Sequence, residues 1–146
     1  RDLRVTAVDA KTGALATFGP RTDRPTVPLE DAVNASCAVP LVYPPIPIDG
    51  RAYVDGGARS GANADLMDGI DVVVAIAPVD RSIGPLRSAA QQLEELGVPH
   101  LVISPDEAST AAIGKNVLDP AARPPSARAG YAQAAAEVAR VRALWA

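Results

Sequence analysis

Residues 72–104 constrain the fold most strongly, because they read as a strand, a helix and a strand in succession. Residues 72–77 form a short apolar run that is typical of a strand buried on both faces. An amphipathic helix pattern then begins at Pro85 and ends at Gly97, and residues 100–104 have strand composition. This spacing predicts a βαβ crossover between parallel strands. We therefore expect an α/β fold with a largely parallel sheet flanked by helices in three layers.

The segments on either side of this crossover have their own patterns. Residues 3–8 and 14–18 predict a hairpin, and residues 51–54 predict a short strand that follows a turn. A helix is expected over residues 29–36, a short helix over 63–67, and mostly irregular structure over 105–130. The apolar face predicted for residues 29–36 consists of Leu29, Ala32, Val33 and Ser36, and the inward stripe of a closing helix consists of Tyr131, Ala134, Ala135, Val138, Val141, Leu144 and Trp145.

Residues 39–48 combine four prolines with large apolar side chains. Because proline fixes φ and lacks an amide donor, we expect a stiff, extended strap. Its apolar side chains would either cover the core or form a wall of a hydrophobic substrate groove.

Composition excludes several classes of protein. The chain has 146 residues, of which 48% are hydrophobic and 21% charged, which is typical of a single globular domain spanning residues 1–146. The net charge of −3 argues against nucleic acid as a partner. The longest apolar run is far shorter than the ~20 residues of a transmembrane helix. The first residues resemble neither an initiator region nor a signal peptide, so we expect the sequence to be part of a longer gene product.

Asp55 is the strongest candidate for a functional residue. It follows a predicted strand and precedes Gly56 and Gly57, which would let another backbone or a ligand approach it closely. Asp9, Asp80 and Asp106 also follow predicted strands, where ligands gather in α/β proteins, although turn formation and helix capping are the usual roles of such acids.

Two linked motifs give these residues a context. LEDAVNASCAVP at residues 29–40 is followed by IDGRAYVDGG at residues 48–57. Together they resemble the patatin-like phospholipase family, which has a helix ending in A-S-x-A-x-P, a proline-bearing strap, I-D-G, a short strand, and D-G-G or D-G-A. The resemblance is centred on residues 29–66, and its layout extends to Asp106.

The resemblance implies a serine acyl hydrolase that cleaves lipid or other carboxylic esters with a Ser–Asp dyad, without a cofactor or metal. Asp55 would take the proton of the serine, and Gly56 and Gly57 would form its supporting loop. No G-x-S-x-G motif occurs in the chain, so none of its serines is assigned as the nucleophile. We therefore expect the C-terminal portion of a patatin-like domain, inactive without its N-terminal part, and cytoplasmic or peripheral to a membrane.

Other readings stay open at this point. A non-catalytic α/β module that binds an acyl chain or a protein partner through the proline strap is the alternative, and an α/β hydrolase of another kind would need a suitably placed histidine. Ser60 is a weak candidate nucleophile. We expect His100 to be structural, Cys37 to be a buried inert thiol, and Asp65, Asp68 and Asp71 to form a solvated helix edge instead of a metal site.

Overall fold

The computed structural model describes residues 3–67, 69–79 and 87–146. These residues fall into two compact units, which divide between Asn63 and Ala64. The first unit contains residues 3–63, and the second contains the described residues from Ala64 to Ala146. The two units are α/β in content. The prediction of one domain over residues 1–146 stays a prediction.

The first unit is an antiparallel sheet with one helix. Its elements are β1 (Val5–Asp9), β2 (Leu15–Phe18), α1 (Leu29–Ser36), β3 (Ile46–Ile48) and β4 (Arg51–Asp55). The strand order is β2-β1-β4-β3, and every pairing is antiparallel. The predicted hairpin, helix α1 and strand β4 are confirmed.

The prediction of a largely parallel sheet is wrong for this unit, and a three-layer arrangement is not confirmed. The local connections explain the antiparallel pairing. β1 and β2 are joined by a short loop, and β3 and β4 are joined by Asp49 and Gly50, both with positive φ. Connections this short join neighbouring strands only in antiparallel fashion.

The core of the first unit lies between one face of the sheet and α1. Ala7, Phe18 and Tyr53 are buried on the sheet side, where the Phe18 and Tyr53 rings meet edge to face at 5.4 Å. Ala32 and Ala35 are buried on the helix side. The face predicted for α1 was therefore only partly right. Leu29 and Val33 are exposed, and the buried contacts of the helix come from its alanines.

The second unit contains the predicted crossover. Its elements are β5 (Val73–Ile76), α2 (Ala89–Leu96), β6 (His100–Ile103), α3 (Glu107–Ile113) and α4 (Arg123–Leu144). β5 and β6 pair in parallel, from Val73 opposite His100 to Ile76 opposite Ile103. Ala64, Val73, Ala77, Ala89 and Leu93 form its core. The βαβ prediction is confirmed here, although the described parallel sheet has two strands.

The ends of α2 are fixed by local sequence. Ser88 accepts a hydrogen bond from the Gln91 amide, while the Gln91 side chain accepts one from the Ser88 amide, which makes a capping box. Gly97 ends the helix at φ 67°. The predicted end at Gly97 is confirmed, and the predicted beginning at Pro85 lies outside the described residues.

Residues 105–130 are largely helical, so the expectation of irregular structure was wrong. Asp106 caps α3 by accepting a hydrogen bond from the Ser109 amide at 2.7 Å. Pro124 and Pro125 lie in the first turn of α4, where an amide donor is not needed. The prolines therefore mark the beginning of a helix instead of a loop.

The prediction that one face of the last helix is buried is also wrong. None of the α4 residues is fully buried, and Tyr131, Val138 and Trp145 are exposed. α4 packs mainly on α3 and β6. Much of its apolar surface is therefore left without a covering element in the described part of this unit.

Candidate functional site

Asp55 is the last residue of β4, and its backbone is held from two sides. It lies opposite Ala7 of β1, and its amide donates to the Ala38 carbonyl at 3.0 Å. Alternation along the strands places Asp55 on the same face as Tyr53, the face that α1 covers. The carboxylate therefore lies at the edge of the core, and Asp55 is partly exposed.

The Asp55 carboxylate has one partner among the described residues. Its Oδ1 accepts a hydrogen bond from the Gly57 amide at 2.6 Å, which caps the 3₁₀ helix Gly56–Ala58. This bond fixes the orientation of the carboxyl group. Oδ2 makes no hydrogen bond or ion pair with a described residue, so it can accept a proton or hydrogen bond from an incoming group.

Space, not backbone conformation, explains why glycines follow Asp55. A Cβ atom on Gly56 would lie 2.4 Å from the Thr6 hydroxyl and 2.6 Å from the Thr6 carbonyl oxygen. A Cβ atom on Gly57 would lie 2.8 Å from Asp55 Oδ1. Gly56 therefore lets β1 approach, and Gly57 leaves room for the carboxylate.

Asn63 stabilises the loop that follows Asp55 and links this loop to β1. It is buried at φ 48°, and its Nδ2 donates to the carbonyls of Gly56 at 3.2 Å and Ser60 at 3.0 Å. Its Oδ1 accepts from the Arg59 guanidinium at 2.9 Å. Sequence reasoning missed this residue. Its signal is weak, since an asparagine in a loop is common, although asparagine tolerates positive φ better than most residues do.

Ser60 has a structural role in the same loop. It is buried, and its Oγ accepts a hydrogen bond from the Asn63 amide at 3.0 Å and a longer one from the Ala62 amide at 3.4 Å. Such a turn orients the hydroxyl towards its own loop. This arrangement agrees with the weak standing of Ser60 as a nucleophile.

Two other acids at strand ends hold turns or caps. Asp9 accepts hydrogen bonds from the Thr12 and Lys11 amides and pairs with the Arg51 guanidinium at 3.2 Å. These bonds hold the pKa of Asp9 below its usual value, and the hydrogen bond from the Ser109 amide does the same for the pKa of Asp106. Asp80 lies outside the described residues, as does Asp68.

The segment predicted as a strap divides into two parts. Ile46–Ile48 is strand β3, and Ile48 is buried in the core. Residues 39–43 instead form a turn in which the Val42 and Tyr43 amides donate to the Val39 carbonyl at 3.1 and 2.9 Å. We call residues 39–43 the apolar turn. The expectation of an extended, core-covering strap is wrong for this part.

The apolar turn presents its side chains to solvent. Leu41 has φ 71° and is fully exposed, while Val39, Val42 and Tyr43 are about half exposed. The turn begins directly after Ala38, whose carbonyl accepts from the Asp55 amide. An exposed apolar surface therefore begins one residue after Ala38, the residue that accepts the hydrogen bond from the Asp55 amide.

Two further candidates have ordinary surroundings. Cys37 is exposed at the end of α1, so the prediction of a buried thiol is wrong. His100 begins β6, and its Nδ1 lies 2.8 Å from the Val98 carbonyl oxygen. This contact agrees with the structural role expected for the histidine.

Residues 1–68 match the family model described as patatin-like phospholipase. The resemblance is therefore confirmed over these residues. The matched range contains Asp55, Gly56 and Gly57, and it ends close to the boundary of the first unit. It supports a hydrolase domain of the lipid-acting type at the level of the family. No curated protein matches the chain.

Among the described residues, none of the helices combines the length and the apolar composition needed to cross a bilayer.

Proposed function

We propose that Asp55 is the general base of a Ser–Asp dyad in a patatin-like acyl hydrolase. The observation that supports this role is a carboxylate with one oxygen fixed by the Gly57 amide and the other without a described partner. The serine and its oxyanion loop would come from the N-terminal part of the same domain, outside residues 1–146. The 146 residues alone would then be inactive.

The proposed reaction cleaves the carboxylic ester of a lipid. Asp55 Oδ2 accepts the serine proton as the serine oxygen attacks the ester carbonyl, and the proton then passes to the leaving alcohol as the C–O bond breaks. Water repeats the sequence on the acyl-enzyme, which releases the acid and restores the serine and the carboxylate. A histidine is not required, because one carboxylate performs both proton transfers.

Two features of the first unit would assist this chemistry. The hydrogen bond from Gly57 and the packing of Gly56 on Thr6 hold the carboxylate in one orientation, which reduces the cost of reaching the transition state. The apolar turn supplies an exposed hydrophobic surface in the adjoining chain, suited to the acyl chains of a lipid substrate. We also propose a location that is cytoplasmic or peripheral to a membrane, and the exposed apolar surface favours the peripheral one.

Replacement of Asp55 by asparagine in the complete polypeptide tests the role. The Asn side chain keeps an oxygen that accepts the Gly57 hydrogen bond, so the loop is retained while the base is lost. We expect kcat for a long-chain p-nitrophenyl ester to fall by about 10²–10⁴-fold. The melting temperature should stay close to that of the wild type.

Asp49→Asn is the matched control. Asp49 is exposed in the β3–β4 turn at φ 49°, a conformation that asparagine adopts well, so activity should be unchanged. Equal hydrolysis by the wild type and the Asp55→Asn variant would refute the proposed base. A serine-directed phosphonate should label the complete polypeptide and leave the 146 residues unlabelled.

The exposed apolar turn also favours a second candidate, a non-catalytic module that binds an acyl chain or a protein partner through that turn. Phosphonate labelling separates the two functions, because the module would lack an activated serine. A complete polypeptide that is inert to the phosphonate but binds lipid vesicles, and loses that binding in the Leu41→Ser variant, would support the module over the enzyme.

A further inference from the structure

The second unit contains a large cavity that the proposed hydrolysis does not use. Its volume is about 640 Å³, within the range of small-molecule sites. It lies along α4 and at the carboxyl ends of the parallel strands β5 and β6, the edge where ligands gather in α/β folds. All of its lining residues belong to this unit.

Most of the surface of the lining is apolar. Ile76 and Ile103 contribute from the strands, Ile113 from α3, and Val138 and Val141 from α4. Ile76 at the end of β5 is 77% exposed, and Val138 is 46% exposed. Large aliphatic side chains therefore face solvent in a concave site, and an apolar ligand would cover them.

The shape of the cavity follows α4. Lining residues extend from Ser126 to Arg142, a distance of about 24 Å at ~1.5 Å per helical residue. Gly130 and Ala134 contribute little side-chain volume along this path, and a Cβ atom on Gly130 would meet nothing within 4 Å. The lining therefore extends along the helix, which suits a linear chain better than a compact ring.

The polar side chains of the lining differ in whether they have hydrogen-bond or ion-pair partners. Gln133 donates to the Ser104 carbonyl at 2.7 Å and accepts from the Ser109 hydroxyl at 3.0 Å, and Glu137 pairs with Arg140 at 2.7 Å. Arg142, in the last turn of α4, makes no ion pair with a described residue. One cation is therefore available where the cavity ends.

We propose that this cavity binds a long-chain fatty acid. The alkyl chain lies along the aliphatic lining beside Gly130 and Ala134, and the carboxylate pairs with the Arg142 guanidinium. An uncharged lipid tail would leave this cation unused, and a cationic amphiphile would be repelled by it. The proposal does not depend on the role of Asp55.

Fluorescence titration of the complete polypeptide with cis-parinaric acid tests the site, with palmitic acid and hexadecanol as competitors. The wild type should show saturable binding with one site per chain. Gly130→Leu places a side chain in the open space and improves helix propensity, so it should weaken binding at least about tenfold while α4 is retained. Its control is Ala136→Leu, on the same helix outside the lining, which should bind as the wild type does.

Arg142→Gln tests the carboxylate contact separately. It should weaken competition by palmitic acid by about tenfold and leave competition by hexadecanol unchanged. Arg128→Gln, an exposed position of α4 outside the lining, should change neither. Melting curves accompany each titration, because Arg142 also complements the dipole of α4.

Three results would overturn the proposal: no saturable binding by the wild type, unchanged affinity in a folded Gly130→Leu variant, or equal effects of Arg142→Gln on the acid and the alcohol. Unchanged affinity in the Gly130→Leu variant is also the result expected if the acid binds near Asp55 instead. If Gly130→Leu does not fold, the selectivity of Arg142→Gln decides alone.

Discussion

At the scale of single residues, Gly56 is a position with little room for a side chain. Thr6 already occupies the space that a side chain would need, and its carbonyl oxygen cannot move without disturbing β1. We expect Gly56→Ala to lower the free energy of unfolding by about 1–3 kcal/mol, measured by urea denaturation. Gly130→Ala is the control, because its Cβ meets open space in a helix, and it should be neutral or stabilising.

Tyr53 is a second residue whose replacement has a defined expectation. Its ring is fully buried against Phe18, but its hydroxyl has no hydrogen-bond partner in the described part of the chain. An unsatisfied buried hydroxyl is costly, so Tyr53→Phe should leave the free energy of unfolding unchanged or raise it by about 1 kcal/mol. A loss of more than that amount in urea denaturation would reveal an unseen partner for the hydroxyl. Tyr43→Phe, at an exposed position, is the control.

At the scale of elements, α2 has the most complete local signals. The capping box of Ser88 and Gln91 satisfies amides that the first turn leaves unpaired. Ser88→Ala should lower the free energy of unfolding by about 1 kcal/mol, and Ser88→Asp should restore most of the loss because aspartate also caps helices well. Thermal unfolding followed by circular dichroism gives both values. A neutral Ser88→Ala change would mean that packing of Leu93 alone fixes the helix.

The elements also show what the sequence could predict. The beginning of α1 follows from Pro28 directly before it, and the β5-α2-β6 crossover follows from apolar period and the capping residues of α2, which are local properties. α3 and the beginning of α4 were missed because prolines were read as breaks, although the first turn of a helix accepts them.

The candidate site was predictable in part for a related reason. Asp55 could be predicted because it follows a predicted strand and precedes two glycines in the sequence. Asn63 and Thr6 could not be predicted as parts of the site, since their contacts join positions up to 57 residues apart. The exposure of the apolar turn was missed because the proline content predicts a stiff segment but does not predict which way its side chains point.

At the scale of the whole molecule, each of the two units contains an aspartate whose pKa is lowered by hydrogen bonds from the backbone. Asp9 in the first unit and Asp106 in the second each accept hydrogen bonds from backbone amides, which lower the pKa of each carboxyl in the folded state. A carboxyl whose folded pKa lies below its unfolded value contributes stability above the unfolded pKa. That contribution is lost as the pH falls through the folded pKa.

Both units should therefore lose stability on acidification below about pH 4, the usual range of aspartate. Urea midpoints measured over a series of pH values should fall in this window for the wild type. Asp9→Asn and Asp106→Asn should each lower the midpoint at neutral pH and flatten its decline in acid, because a neutral amide does not titrate. Asp23→Asn, at an exposed position, should keep the wild-type profile. If either replacement retains the full acid dependence, other carboxyls govern the acid response of that unit, and backbone hydrogen bonding to its aspartate is not the cause.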